Sequence, residues 1–88
     1  MKLKYKFTIQ QVTDFWAAVP VEEDASRYRG VISLNETSKD MMELLANDIT
    51  LEVLLSTIQK MYNVAPERLR ADVEVFLQQL RDEDILLP

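Results

Sequence analysis

The spacing of apolar side chains changes from a period of two to a period of 3.6 near residue 35, and this switch most restricts the possible folds. Before it, Tyr5, Phe7 and Ile9 alternate with polar residues, as in a half-buried strand. A second alternating run starts at Phe15, and Val31–Leu34 is a short run rich in β-branched residues. We therefore predict three strands, over about residues 4–12, 14–21 and 30–34.

Beyond residue 35 the apolar side chains recur with helical spacing. Asn35 and Thr50 are suitable caps for two helices, and Pro66 suits the first turn of a third. The predicted helices span about residues 36–46, 50–62 and 66–82, and the apolar tail Ile85-Leu86-Leu87 is expected to pack back on them. Strands followed by helices indicate one α+β domain over residues 1–88. Its N-terminal three-stranded antiparallel sheet and three α-helices are similar to a winged helix–turn–helix.

The composition argues against catalysis by this chain alone. None of its 88 residues is His or Cys, so the usual metal ligands, neutral-pH bases and thiolate nucleophiles are missing. The acidic runs Glu22–Asp24 and Asp82–Asp84 are interpreted as solvated loop acids. We predict no enzyme activity, no cofactor and no metal site. No apolar run reaches the length of a membrane span and no signal peptide is recognisable, so we expect a cytoplasmic protein without a membrane partner.

Charge is unevenly distributed along the chain. The net charge of −5 argues against a nucleic-acid partner, because affinity for phosphates comes from clustered Lys and Arg. Residues 1–13 nevertheless contain Lys2, Lys4 and Lys6 and no acid. These lysines are either solvated side chains along an exposed strand or a basic strip that meets an acidic partner.

The third strand and the third helix offer a candidate binding site. In a three-stranded meander the third strand has a free edge, and this one lacks the Lys, Glu or Pro that often protect edges. Such an edge accepts an extended peptide, unless the strand is simply too short. Beside its buried face, the third helix has a flanking stripe of Arg68, Asp72, Val75 and Gln79. The stripe is either the second wall of a groove or a solvated flank with one incidental Val.

An ordered series of short motifs resembles the PqqD family over about residues 14 to 87. The series contains Leu34-Asn35-Glu36-Thr37, Met42-Glu43-Leu44-Leu45, and Asp72-Val73 followed by Phe76-Leu77 and Leu80. The chain departs from the common pattern at Ser38, where the family usually has Gly, and at Met42, where an aromatic is frequent. PqqD is a small protein of pyrroloquinoline-quinone biosynthesis. Its fold recurs as the recognition element of pathways that modify ribosomally made peptides.

The resemblance implies a non-catalytic adaptor. Such a protein binds the leader segment of a precursor peptide as an added strand and presents it to a modifying enzyme, often a radical S-adenosylmethionine protein. The acidic body would favour leaders with some basic residues. By position, the resemblance assigns peptide binding to Val31, Ile32, Ser33 and Leu34, chiefly through their backbone, and side-chain selection to Arg68, Asp72, Val75 and Gln79. We expect a monomer or a weak homodimer.

Two other functions stay open at this point. A winged-helix transcriptional regulator or DNA-binding domain would place Arg68 and Arg70 near the start of its recognition helix. Glu67, Asp72 and Glu74 in the same helix oppose this interpretation, as does the net charge. The second is a structural domain that dimerises through the free edge of the third strand.

Overall fold

The computed structural model describes all 88 residues and confirms the predicted α+β order. A three-stranded antiparallel sheet in the order β2-β3-β4 precedes three helices, and two further short strands form a separate ladder. The elements are β1 (Lys2–Leu3), β2 (Phe7–Val12), β3 (Phe15–Pro20), β4 (Ile32–Leu34), α1 (Glu36–Leu44), α2 (Leu51–Met61), α3 (Pro66–Asp82) and β5 (Leu86–Leu87). A short 3₁₀ helix, Glu22–Ala25, lies between β3 and β4.

The predicted first strand, residues 4–12, is wrong at its start. Residues 4–6 leave the sheet, where the N–H of Lys6 donates to the Asp24 carboxylate at 2.8 Å. Of the three lysines only Lys2 lies in a strand, and Lys4 forms an ion pair with Asp84 at 2.9 Å. β4 is also shorter than residues 30–34, and α1 and α2 are each two residues shorter than predicted, whereas α3 has the predicted bounds.

Local capping explains where the helices begin. The Asn35 side chain accepts a hydrogen bond from the Ser38 N–H at 2.8 Å, and the Asn35 N–H donates to Ser38 Oγ at 2.9 Å. This reciprocal capping box gives Ser38 a structural role at the start of α1. Thr50 Oγ1 accepts from the Val53 N–H at 3.2 Å and caps α2. Pro66 opens α3 as predicted, and the predicted caps Asn35 and Thr50 are confirmed.

The end of α3 directs the chain back to the N-terminus. Asp84 has a φ of 58°, its N–H donates to the Arg81 carbonyl at 2.9 Å, and the Ile85 N–H donates to the Leu80 carbonyl at 3.0 Å. These two bonds form a Schellman motif, in which a left-handed residue terminates the helix. Ile85 and Leu80 are both buried in the core. The reversal lets β5 pair with β1, with Leu86 opposite Leu3.

The core lies between the helices and one face of the sheet. The buried stripe of α3 contains the four predicted residues and, in addition, Leu77; the predicted ones are Leu69, Val73, Phe76 and Leu80. Fifteen buried apolar residues form one cluster, which includes residues of the sheet, all three helices and the C-terminal tail. None of the helices has the length and apolar character needed to cross a membrane.

Candidate functional site

The backbone pattern of the sheet shows which groups of β3 point towards β4. The Val21 N–H donates to the Lys6 carbonyl at 3.0 Å, which identifies these two residues as a hydrogen-bonded pair. Hydrogen-bonded and non-hydrogen-bonded pairs alternate along an antiparallel ladder. In the continuous register of β2 and β3, Trp16 and Ala18 therefore turn their backbone groups away from β2 and towards β4.

The free edge of β4 is consequently formed by two residues. Ile32 and Leu34 pair with β3 through their backbone. By the same alternation, the N–H and C=O groups of Val31 and Ser33 point away from β3, and no further strand of the protein lies on that side of β4. The edge stops at Asn35, because its N–H already donates to Ser38 Oγ at 2.9 Å. Four backbone groups are thus available to an incoming strand.

A groove of about 880 Å³ runs between this edge and α3. Six of the eight predicted site residues line it: Val31, Ile32 and Ser33 on the strand side, and Asp72, Val75 and Gln79 on the helix side. Val31 is 64% exposed and Val75 is 59% exposed, although both are apolar. The predicted juxtaposition of strand and helix stripe is therefore present.

Leu34 and Arg68 do not line the groove. Leu34 is only 2% exposed, because its side chain points into the core. Its contribution to an added strand is further limited, since its backbone pairs with β3. The Arg68 side chain is 79% exposed and its Nε lies 3.9 Å from the Asp72 carboxylate, on the solvent side of α3. The side-chain role predicted for Arg68 is not supported by its position.

One end of the groove is formed by Tyr28, which the sequence did not single out. Its ring stacks on Tyr5 at a centroid distance of 5.9 Å and meets the edge of Phe7 at 5.8 Å. Its hydroxyl lies 3.4 Å from the Glu83 carboxylate, and burial together with that carboxylate raises the pKa of Tyr28. A Cβ at Gly30 would lie 2.8 Å from the Tyr28 hydroxyl oxygen. The only glycine in the chain therefore makes room for this ring. Gly30 was the one feature of the sequence that could have indicated the position of Tyr28.

The other end of the groove is held by Tyr62, whose hydroxyl donates to the buried Asp40 carboxylate. Lys39 Nζ lies 2.7 Å from the same carboxylate and 4.8 Å from the centre of the Trp16 ring. Burial alone would raise the pKa of Asp40, but the hydrogen bonds from Lys39 and Tyr62 outweigh it and hold that pKa below its ordinary value. Burial and the bond to Asp40 raise the pKa of Tyr62 to about 12.

The charge of the groove is entirely negative. Asp72, Asp82 and Glu83 are among its 19 lining residues, and no Lys or Arg is. The predicted loop acids of the second acidic run are exposed, as expected, but two of them belong to this wall. The groove therefore offers unpaired backbone groups, two exposed valines and a negative potential.

The family profile of coenzyme PQQ synthesis protein D (PqqD) matches residues 19–86. This chain belongs to the PqqD family. Among solved structures, the chain is similar to one described as TbiB1 in complex with the TbiA(beta) leader peptide. That match has a TM-score of 0.71 and 17% sequence identity, and it covers 98% of this chain and 94% of the other. The two chains thus share the PqqD-like fold. No curated protein matches this chain significantly in sequence.

Proposed function

We propose that this PqqD-family chain is a non-catalytic adaptor that captures the leader segment of a ribosomally synthesised precursor peptide. The leader adds as a strand to β4 and is presented to a modifying enzyme. Family membership supports a peptide-binding role, and the chain shares its fold with TbiB1, which was solved with a leader peptide. The observation that carries the proposal is the unpaired edge of Val31 and Ser33 facing a groove walled by α3.

The number of free backbone groups on the edge indicates how much of the leader affinity comes from backbone hydrogen bonds and how much from side-chain contacts. Four backbone hydrogen bonds at about 0.5–1.5 kcal/mol each contribute roughly 2–6 kcal/mol. Ordering a flexible peptide costs about 2–5 kcal/mol, so the backbone alone leaves little net affinity. Side-chain contacts with Val31, Val75 and Ile32 must supply most of the remainder. Selectivity accordingly lies in the α3 wall, and strand addition sets the position of the peptide.

The partner enzyme is proposed from the family. A radical S-adenosylmethionine protein is the expected modifying enzyme, and this chain would supply it with bound precursor and no cofactor. Because ribosomally synthesised precursors are made in the cytoplasm, the proposal implies that the leader is bound there.

The test is a titration of isotope-labelled protein with a synthetic leader of the precursor encoded beside its gene. We expect the amide resonances of Val31 and Ser33 to shift, together with those of residues 72–79 on α3. Shifts confined to Phe7–Val12, on the opposite edge of the sheet, would show that the site is misplaced. The absence of any saturable shift of an amide resonance would contradict the proposed function.

The two alternatives gain no specific support from the structure. Arg70, predicted to lie in a recognition helix, forms ion pairs with Glu52 at 2.9 Å and Glu74 at 3.4 Å. The start of α3 therefore presents little free positive charge to DNA. Dimerisation through β4 would compete with leader binding. Sedimentation with and without the leader therefore tests it, because a competing dimer dissociates as leader is added.

A further inference from the structure

We propose that the groove selects leader segments with a Lys or Arg side chain at one end of the added strand, where Asp82 and Glu83 receive it. This inference rests on the proposed function and adds a charge and a position to it. A general preference of an acidic protein for basic peptides would act anywhere along the peptide. The structure instead concentrates the unmatched negative charge at one end of the groove.

Asp82 and Glu83 have no cationic partner. Asp82 accepts a hydrogen bond from the Gln78 amide at 2.9 Å, and Glu83 lies 3.4 Å from the Tyr28 hydroxyl. Both partners are neutral, and no Lys or Arg nitrogen lies within 4.0 Å of either carboxylate. The adjacent Asp84, outside the groove, is paired with Lys4 at 2.9 Å. Only the groove-lining acids of this run are left without a cation.

The position of these acids on α3 is unfavourable for the isolated protein. Asp82 is the last residue of the helix and Glu83 is its C-cap. The negative end of the helix dipole favours cations there and disfavours carboxylates. Arg81 is also in the last turn, but its guanidinium points to the Met1 sulfur, at 4.0 Å, rather than to either acid. A cation supplied by the peptide would neutralise two carboxylates and the helix end together.

The third acid of the groove has a different environment. Asp72 lies ten residues earlier on α3, and its carboxylate is 3.9 Å from Arg68 Nε. Its charge is partly balanced within the protein. Because Tyr28 precedes β4 in the chain and lies beside Glu83, the unbalanced pair lies beyond the Val31 end of the edge. The selected cation therefore lies at that end of the peptide and not at its centre.

The first experiment selects binders from a displayed library of random 12-residue peptides. The wild-type chain and the double variant Asp82→Asn/Glu83→Gln are used in parallel. We expect peptides selected by the wild type to share Lys or Arg at one position beside an apolar strand-forming segment. The double variant should lose that preference and keep the apolar one. The variant should fold, because removing carboxylates from a helix C-terminus is favourable.

The second experiment measures coupling with one selected peptide. Its basic residue is replaced by glutamine, and both peptides are titrated into both proteins. We expect either change to weaken binding about three- to ten-fold, and the two together to weaken it no further, since both remove the same ion pairs. The loss should shrink at high salt. The matched control, Asp14→Asn/Glu67→Gln, makes the same change in net charge at residues that do not line the groove, and should alter the affinity less than about two-fold.

The outcomes separate the two proposals. Selected peptides that shift the amides of Val31 and Ser33, but show no basic preference and no coupling to Asp82 and Glu83, would overturn this inference and leave the proposed function intact. An equal effect of the control variant would overturn it as well. If no selected peptide perturbs the β4 edge, the proposed function fails, and this inference fails with it.

Discussion

The two outer edges of the sheet differ in length and in surroundings, and the shorter one has the features of a binding site. The β2 edge presents outward backbone groups at Phe7, Ile9 and Gln11, by the same alternation that applies to β4. The β4 edge presents only Val31 and Ser33. Beside β4, however, α3 forms the second wall of a groove of about 880 Å³. Free backbone groups alone are therefore not enough to form a selective peptide-binding site. A neighbouring wall that contacts the side chains of the peptide is also needed.

The depressions beside the two edges also differ in charge. The one beside β2 is about 680 Å³ and is lined by Lys2, Lys4 and Lys6 together with two acids, Asp24 and Glu43. Two of these lysines are already paired, Lys4 with Asp84 and Lys6 with Glu22 at 3.4 Å. The lysines near β2 are thus mostly paired within the protein, whereas Asp82 and Glu83, at the C-terminal end of α3 in the groove, are not.

Proline substitution on each edge should separate the two regions most strongly. Val31→Pro removes an outward N–H and places a ring against the incoming strand. Losing two of the four backbone bonds predicts leader binding about 30-fold weaker, equivalent to about 2 kcal/mol. Folding stability should fall by less than about 1 kcal/mol, because that N–H has no partner in the folded chain. Calorimetric titration and urea unfolding measure the two effects.

Gln11→Pro is the matched control for that substitution. It removes an outward N–H from β2, and proline is tolerated on sheet edges. Leader affinity should be unchanged. Equal losses of binding in the two variants, or a loss of stability as large as the loss of binding in Val31→Pro, would show that the edges are not functionally different.

High pH should weaken the groove end that Tyr62 holds. Because its pKa is raised to about 12, the folded state retains the proton that the unfolded chain loses near pH 10. This stabilisation is present below about pH 10 and is lost as the pH rises towards 12, by about 1–2 kcal/mol. When the free energy of unfolding is measured as a function of pH, the curve of Tyr62→Phe should be flatter than that of wild type over this range. Glu22→Gln, beside β2, should keep the pH dependence of wild type. Parallel curves for wild type and Tyr62→Phe would refute the prediction.

Truncating exposed valines tests whether the α3 wall contributes side-chain contacts. Val75→Ala should weaken leader binding about three- to five-fold, because it removes apolar surface that a bound peptide would cover. Val53→Ala on α2 is the matched control, since that side chain is 53% exposed and lines neither depression. Alanine has the higher helix propensity, so neither change should reduce stability. Equal affinities of the two variants would remove Val75 from the site.

The smallest expected effect is at the tip of the β2–β3 hairpin. Thr13 has a φ of 53°, which is unfavourable for a β-branched residue. Thr13→Asn should raise the free energy of unfolding by about 0.5 kcal/mol, because asparagine tolerates this conformation. Thr8→Asn, within β2, should not stabilise the protein. Leader affinity should not change in either variant, and altered affinity in Thr13→Asn would mean that the hairpin communicates with the groove.

The fold could be predicted to the extent that its signals are local. The caps Asn35 and Thr50 and the first-turn Pro66 act within one helical turn, so their sequence signatures sufficed. The β1–β5 ladder has no such signature, because each strand has two residues and they lie at opposite ends of the chain. Nor does Asp84 resemble the glycine that usually occupies its left-handed position.

The candidate site was predictable where helical periodicity determines a face. Asp72, Val75 and Gln79 line the groove as the angular spacing indicated. Ile32 and Leu34 could not be distinguished from Val31 and Ser33 in the sequence, because a free edge concerns alternate residues and the register that separates them depends on β2 and β3. Tyr28, Asp82 and Glu83 were missed as groove residues because only the tertiary fold brings the segment before β4 to the end of α3.

The late position of α3 and β5 in the chain has a consequence for biosynthesis. The sheet, including β4, leaves the ribosome first, and it exposes its free edge before any second wall exists. The β1–β5 ladder joins residues 3 and 86, so it forms only after residue 86 has emerged. Between these two moments the edge can pair without selectivity. The nascent chain is then most prone to aggregation, and only the finished one can discriminate between peptides.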